Sequence, residues 1–371
     1  MNKYTASATV AMNQRVAAKK NAGIQVYNFA VGDPSLPVHP CILEAVSKKM
    51  IEARSSYPPV EGILELRKEA SHWLNTSYAT DYSEKEVLVS CGAKFALFAL
   101  LQAYLQKGDE VLITSPFWVS YPGLAVLSQA TPKILVSTEE TGWKITEEMI
   151  LTAATDKTKM LIFNNPCNPT GALYTKEEIE CILQAAKKAN LLVVADEVYS
   201  GLVYDGAFIS CGAFTKHRDH VVVVQSCSKN FAMPGWRVGF LFAPEEIGKR
   251  VIPFFGQSIT AAAECSQWAA LGALRSSETV ICYVRDAMKR RRDLFFSFIQ
   301  KVEPPKAALY AFVPVGEDSS TFCEQLLETC SIAAVPGSAF GQEGYVRFAF
   351  SEPEEVLVEG LKRLKKWGKG L

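Results

Sequence analysis

The sequence lacks three features that would each point to a particular class of protein. It has no excess of either charge, since 39 Lys and Arg balance 39 Asp and Glu. This balance gives no electrostatic reason to expect nucleic acid or an anionic membrane as a partner. It has no apolar run of the roughly 20 residues that span a bilayer, and residues 1–20 lack the apolar core of a signal peptide. We therefore expect a cytoplasmic protein that acts on small molecules.

Motifs for metal and dinucleotide binding are also missing. The ten cysteines are scattered singly, and none forms the CxxC pair that is typical of zinc ribbons. We interpret them as reduced thiols and expect no metal site. No GxGxxG motif follows the first strand pattern, which argues against a nicotinamide-binding fold.

The length and the alternation of patterns predict the fold class. A chain of 371 residues exceeds the roughly 250–300 residues at which a single core stops growing, so two units that share a cleft are expected. Continuous apolar runs are typical of strands buried on both faces. They lie at residues 87–89, 110–113, 160–163, 191–195, 221–224 and 238–242. Helical patterns separate them, which predicts a mostly parallel sheet with helices on both sides. After about residue 264 the pattern changes to that of a smaller α+β unit.

Chemically useful residues follow five of these runs directly. Polar, glycine or aromatic side chains begin at Ser90, Ser115, Asn164, Asp196 and Gln225. Ligands of open parallel sheets bind beyond the carboxyl ends of the strands. We therefore expect one site at this edge of the sheet.

The residues at this edge could hold a phosphorylated aromatic ligand. Gly92 precedes a helix start, where free backbone N–H groups can bind phosphate. Ser226 and Arg237 could add a hydroxyl and a fork of N–H donors to the same anion, and Trp118 offers a flat face for a ring. Each of these residues taken alone also fits a structural role, such as a turn glycine or a core aromatic.

Two further residues could carry the reaction. Asp196 ends an apolar strand, where a carboxylate is costly unless it is paired. A protonated ring nitrogen would be a suitable partner, and a helix N-cap is the alternative. Lys229 follows the next apolar run, and a desolvated lysine near another cation is a nucleophile toward carbonyl groups. An exposed loop lysine is the alternative there.

At Lys229 and Arg237 the chain resembles a known family. The lysine of the SxSK motif stands eight positions before the arginine of the GxRxG motif. Other matching motifs lie at residues 31–34, 57–67, 118–122, 168–171, 196–199, 336–341 and 346–348. In their order and spacing the chain resembles the class I/II aminotransferases of pyridoxal-phosphate (PLP) fold type I. Within that family it looks most like the bacterial aspartate aminotransferase subgroup.

The resemblance implies an architecture. It implies a large α/β domain with a mostly parallel seven-stranded sheet flanked by helices, and a smaller α+β domain formed by both chain ends. Residues 1–40 would join the small domain, residues 41–270 would form the PLP-binding domain and residues 271–371 the small domain. It also implies a homodimer with shared active sites.

The resemblance assigns a role to each matching residue. Lys229 would be the catalytic residue, forming a Schiff base with pyridoxal 5′-phosphate and later moving the substrate Cα proton. The cofactor would be bound by Ala93, Lys94, Trp118, Asn168, Asp196, Tyr199, Ser226, Lys229, Arg237 and, across the dimer, Tyr57. The substrate would be bound by Gly32, Trp118, Asn168 and Arg347, with Arg347 on its α-carboxylate.

The resemblance also implies the reaction, a ping-pong transfer of an amino group from an L-amino acid to a 2-oxo acid, with 2-oxoglutarate as the expected acceptor. One aspartate aminotransferase subgroup binds the side-chain carboxylate with a partner-subunit arginine. No arginine lies in the matching stretch 258–263, but the bacterial subgroup that the chain resembles manages without it. Aspartate is therefore the first expected donor, and aromatic amino acids are next.

Two other functions share this fold. A PLP-dependent carbon–sulfur lyase would use the same lysine, and a PLP-sensing domain of a transcription regulator would have no catalysis. The second would need a DNA-binding module ahead of the motifs that begin at Val31. Residues 307–310, Ala-Ala-Leu-Tyr, also depart from the family's pattern by lacking its usual glycine.

Overall fold

The computed structural model describes residues 7–52, 56–316 and 318–368. Residues 1–6, 317 and 369–371, which belong to segments that we assigned to the small domain, lie outside the described residues. The helices are α1 (Ala8–Asn21), α2 (Pro40–Glu52), α3 (Leu64–Tyr78), α4 (Ala93–Tyr104), α5 (Tyr121–Leu127), α6 (Glu147–Ala153), α7 (Lys176–Lys188), α8 (Cys227–Asn230), α9 (Glu245–Ser258), α10 (Glu264–Arg275), α11 (Ser277–Phe298), α12 (Ser319–Cys330) and α13 (Glu354–Trp367). The strands are β1 (Tyr27–Asn28), β2 (Val87–Ser90), β3 (Glu110–Ser115), β4 (Thr131–Val136), β5 (Thr158–Asn164), β6 (Leu192–Asp196), β7 (Val221–Ser226), β8 (Gly239–Phe242), β9 (Tyr310–Pro314), β10 (Ile332–Ala333), β11 (Val335–Pro336) and β12 (Tyr345–Ala349).

A seven-stranded sheet forms the centre of the fold, in the order β2-β8-β7-β6-β5-β3-β4. Strand β8 is antiparallel to both of its neighbours, and the other pairs are parallel. This confirms the predicted α/β class and the mostly parallel sheet. Since β5, β6 and β7 are parallel neighbours, their carboxyl ends lie side by side at one edge.

The apolar runs fold into this sheet because both of its faces are covered. Along β5, Leu161 and Phe163 pack into the core on one face, whereas Met160 and Ile162 pack into the core on the other. Successive side chains of a strand point to opposite faces, so a strand between two layers needs an apolar residue at every position. Burial of each such side chain contributes roughly 1.5–3 kcal/mol.

Helix α7 illustrates how local sequence sets an element on this sheet. Thr175 caps its N-terminus by accepting from the Glu178 N–H, and the Glu178 side chain accepts from the Thr175 N–H in return. Such a capping box satisfies two backbone donors that the helix itself leaves free. Ile179 and Leu183, four positions apart, then bury one face of the helix against the sheet.

A second, smaller core brings the two chain ends together. Strands β11, β12 and β9 form an antiparallel sheet, and β1 pairs in parallel with β10. Met12 and Val16 of α1 pack in the same apolar cluster as the strands β9 and β12. The boundaries at residues 40/41 and 270/271 stay a prediction. No helix in the described part of the chain is both long and apolar enough to cross a bilayer.

Candidate active site

A cavity of about 360 Å³ lies where the carboxyl edge of the large sheet meets the smaller core. Eleven of the predicted site residues line it: Gly32, Ala93, Lys94, Trp118, Asn168, Asp196, Tyr199, Ser226, Lys229, Arg237 and Arg347. Tyr57 does not line it, and its side chain is 92% exposed. The structure therefore brings these eleven residues together in the single chain and leaves Tyr57 apart from them.

Asp196 reaches the cavity from the end of β6 and is buried. Its Oδ2 accepts a hydrogen bond of 2.7 Å from the Tyr121 hydroxyl, and its Oδ1 accepts a 3.4 Å bond from the Val198 N–H. Burial raises the pKa of Asp196 to about 6, and the two hydrogen bonds oppose that shift. Because removing a carboxylate from water is costly, Asp196 is suited to hold a positively charged partner in the cavity.

The raised pKa of Asp196 has a measurable consequence for the protein without a ligand. Between the ordinary pKa and about 6 the folded state holds a proton that the unfolded state has lost, so stability falls as the pH rises through this window. Relative to Asp196→Asn, the wild-type free energy of unfolding should fall by roughly 2 kcal/mol from pH 4.5 to 7.5. Urea unfolding of both proteins measures this difference, and parallel curves would contradict it.

Lys229 lies on the short helix α8, directly after β7, the neighbour of β6. Its Nζ donates a hydrogen bond to the Gly32 carbonyl. Burial lowers the pKa of Lys229 to about 8; Asp33 opposes this shift, and the two nearby arginines add to it. A substantial fraction of the amine is therefore neutral in mildly alkaline solution and can attack a carbonyl carbon.

The corner formed by α4 and β8 has the features of an anion site. No side chain caps the N-terminus of α4, whose first residue, Ala93, lines the cavity. Arg237 adopts a left-handed conformation with φ +56°, and its guanidinium lies so close to Gly92 that a Cβ there would be 2.6 Å from Nη2. Free N–H groups at a helix N-terminus and an arginine fork are both donors that suit a phosphate.

Arg347 is buried on β12 and has no ion-pair partner among the described residues. Its Nη1 donates to Asn168 Oδ1 at 3.1 Å and its Nη2 donates to the Ala30 carbonyl at 2.5 Å. Its Nε is buried without a hydrogen-bond acceptor. A buried charge is expected to be paired, so this guanidinium indicates a site for an anionic ligand.

The charge of the cavity wall agrees with this interpretation. Four cations line the cavity, namely Lys94, Lys229, Arg237 and Arg347, whereas Asp196 is the one acid among the described lining residues. The Lys94 Nζ lies 4.8 Å from the centroid of the Trp118 ring. The arrangement can hold two separate anionic groups, together with a flat ring whose charged nitrogen faces a carboxylate.

Sequence reasoning missed several residues of the wall. Tyr121 stands three positions after Trp118, in the same segment after β3, and that proximity could have identified it. Tyr310 lies in the segment 307–310, which we noted only for its missing glycine. Ser7 and Thr9 come from the N-terminal segment, and no sequence pattern points to them.

Comparison with known proteins agrees with this geometry. A sequence profile of the family described as aminotransferase class I and II matches residues 24–364. The probable aspartate/prephenate aminotransferase of Aquifex aeolicus is 33% identical over 97% of this chain and 95% of that protein. The structure of Thermus thermophilus aspartate aminotransferase with maleate superposes with a TM-score of 0.94 at 32% identity, covering 98% of this chain and 97% of that one.

An aromatic aminotransferase from Pyrococcus horikoshii superposes with a TM-score of 0.89 at 32% identity, over 95% of this chain and 98% of that one. The family match and the matched relatives span nearly the whole chain, both cores included. The chain therefore belongs to the class I and II aminotransferases.

Proposed function

We propose that this aminotransferase binds pyridoxal 5′-phosphate through Lys229 and moves the amino group of L-aspartate to a 2-oxo acid, with 2-oxoglutarate as the acceptor. The observation that carries the proposal is the combination in one cavity of a nucleophilic lysine, a buried carboxylate on the neighbouring strand and a buried arginine without an anion. When bound, the cofactor supplies an aldehyde and a ring that accepts electrons.

The described residues fit this cofactor. The free N–H groups of Ala93 and Lys94 at the start of α4, with Ser226 and Arg237, would hold its phosphate. Trp118 would stack on the ring. Asp196 would keep the pyridine nitrogen protonated, and Tyr199 with Asn168 would face the ring's phenolate oxygen.

The remaining roles belong to groups that bind the substrate or move its Cα proton. Arg347 and the Gly32 N–H would bind the α-carboxylate, and the orphaned Nε of Arg347 is a donor that such a ligand satisfies. Lys229, once released from the cofactor, would be the base that moves the substrate Cα proton, since its lowered pKa of about 8 suits a base near neutral pH.

Aspartate is proposed as the donor for two reasons. The matched relatives from Aquifex aeolicus and Thermus thermophilus are named for aspartate, and the names of both curated relatives add prephenate. In the cavity, Lys94 is a cation with no acid partner among the described lining residues, so its side chain could face a second carboxylate. Aromatic amino acids are the second candidate, supported by the Pyrococcus relative's name and the Trp118 and Tyr310 rings.

An amino-donor screen with 2-oxoglutarate on the purified protein tests the function. Aspartate should give the highest kcat/KM, and product should form only when the acceptor is present. The carbon–sulfur lyase, which the comparisons do not favour, would form a 2-oxo acid and ammonia without an acceptor. Turnover of a sulfur amino acid without acceptor would therefore overturn the proposal.

Replacing Lys94 by methionine should weaken dicarboxylate donors selectively. The change removes one charge from a solvent-facing wall, and such a charge contributes about 1 kcal/mol. KM for aspartate should rise about three- to tenfold, whereas KM for an aromatic donor should stay within twofold. Lys85→Met, at an exposed position outside the cavity, is the control. A loss of cofactor affinity with an unchanged aspartate KM would instead assign the Lys94 side chain to the phosphate.

We also propose a homodimer in which Tyr57 completes the partner's cofactor site. Large apolar side chains between residues 43 and 64 are exposed in the single chain: Leu43, Met50, Ile51, Tyr57 and Leu64. Exposed apolar surface of this kind marks protein–protein interfaces. A partner that covers this stretch would bury these side chains and bring the Tyr57 hydroxyl to a phosphate.

A further inference from the structure

Tyr310 reaches the cavity from the smaller core, next to the arginine that we assign to the substrate. It begins β9 and pairs in register with Ala349 of β12, two positions after Arg347. Side chains two positions apart point to the same face of a strand, and diagonal neighbours across antiparallel strands are within reach of an aromatic ring. The pairing therefore sets the Tyr310 ring beside the Arg347 guanidinium.

The Tyr310 ring supports the buried charge of Arg347. The guanidinium carbon lies 4.4 Å from the Tyr310 ring centroid and 4.9 Å from that of Phe340. A cation over an aromatic face is attracted by about 0.5–2 kcal/mol, most strongly where water is excluded. These rings hold the guanidinium in place while its Nε stays free for a ligand.

The Tyr310 hydroxyl has a different partner. Its oxygen lies 2.8 Å from the Tyr199 hydroxyl oxygen, and the rings meet edge to face at 82°. Each hydroxyl has one proton to donate. If Tyr199 donates its one hydrogen bond to the phenolate oxygen of the cofactor, then Tyr310 must be the donor in the hydrogen bond between the two tyrosines. A Cβ at Gly32 would lie 1.9 Å from the Tyr310 hydroxyl oxygen, so the glycine leaves room for this hydroxyl.

We propose that Tyr310 is a positioning residue with two separable roles: its ring sets Arg347 for the α-carboxylate, and its hydroxyl strengthens Tyr199 as a donor to the cofactor. This inference rests on the proposed function. Burial raises the pKa of Tyr199, and the charged or titratable groups that act on it are Tyr310, Arg347 and Asp196. Tyr310→Phe removes the Tyr310 hydroxyl and leaves Arg347 and Asp196 in place.

Tyr310→Phe tests the hydroxyl in the protein reconstituted with PLP. Without donation from Tyr310, Tyr199 is a weaker donor and stabilises the phenolate less. The pH midpoint of the cofactor's visible absorbance should therefore rise by about 0.5–1 unit, whereas the dissociation constant for maleate should stay within twofold. Tyr174→Phe is the control, since Tyr174 does not line the cavity. Its hydroxyl accepts a 2.9 Å hydrogen bond from the Ile145 N–H. It should leave the midpoint unchanged.

Tyr310→Leu tests the ring. Maleate has no amino group and cannot react, so its binding measures the carboxylate site by itself. Its dissociation constant should rise about 3- to 30-fold beyond that of Tyr310→Phe. Phe348→Leu is the control, because Phe348 follows Arg347 on β12, points to the other face and packs on Phe295.

Two results would overturn the inference. One is an unchanged midpoint in Tyr310→Phe, and the other is maleate binding in Tyr310→Leu no weaker than in Phe348→Leu. The proposed function fails separately, if wild-type protein binds no PLP that borohydride can fix to Lys229.

Discussion

Replacing Lys229 by alanine is expected to abolish the aminotransferase reaction and the covalent attachment of the cofactor. The change removes the nucleophile and the base together, and kcat should fall by about 10⁴-fold or more. The fold should persist, because the lost group is a desolvated amine that donates a hydrogen bond to the Gly32 carbonyl. Absorbance of the bound cofactor and steady-state kinetics measure the two effects.

The control for this variant is Lys362→Ala, which removes an exposed lysine of α13 and should leave both measurements unchanged. Borohydride reduction followed by peptide mass analysis locates the covalent link directly. A reducible link that persists in Lys229→Ala would show that another lysine carries the cofactor. A Tm within a few degrees of wild type excludes unfolding as the cause of lost activity.

Replacing Arg347 by alanine is expected to raise KM for every amino donor, because all donors share the α-carboxylate. Removing one member of a buried, hydrogen-bonded charge pair costs roughly 2–5 kcal/mol, so KM should rise by about 30-fold or more. Arg347→Lys keeps the charge but not the planar fork, and its effect should be intermediate. Unchanged kinetics in Arg347→Ala would refute the assignment.

The same arginine should show the opposite effect on stability. In the ligand-free protein Arg347 is a buried cation with an orphaned Nε and no acid partner among the described residues. Replacing it by the apolar methionine removes this desolvated charge, so Arg347→Met should be at least as stable as wild type in urea unfolding. A residue with only a structural role would lose stability on the same change.

The sequence predicted the parts of the fold that depend on burial along the chain. The six apolar runs correspond to β2, β3, β5, β6, β7 and β8. Strand β4 had no such run because it is an edge strand with most of its side chains at least partly exposed, unlike β2 at the other edge, which is fully buried. It pairs with β3 alone among the described strands, contains Pro132 and leaves Ile134 and Val136 exposed. An edge strand needs apolar residues at fewer positions and tolerates proline.

The site was predictable where neighbouring strand ends or a family motif supplied it. Asp196 and Lys229 follow adjacent strands, so their convergence follows from the parallel sheet. Tyr310 and Thr9 belong to distant segments, and they meet the sheet only through the packing of the second core. Tyr57 lies on the exposed surface of one chain, and its role depends on a second copy.

The junction of the two cores has a consequence for protein engineering. Asp196, which would hold the ring, and Lys229, which carries the reacting amine, lie at the ends of β6 and β7. Backbone hydrogen bonds within the large sheet fix the positions of these two strands. The chain ends supply Thr9, Tyr310 and Arg347 to the opposite wall. Arg347 and Tyr310 serve every donor, so selection for a new amino donor can vary the N-terminal part of that wall, such as Thr9, while the machinery of the transfer step stays constant.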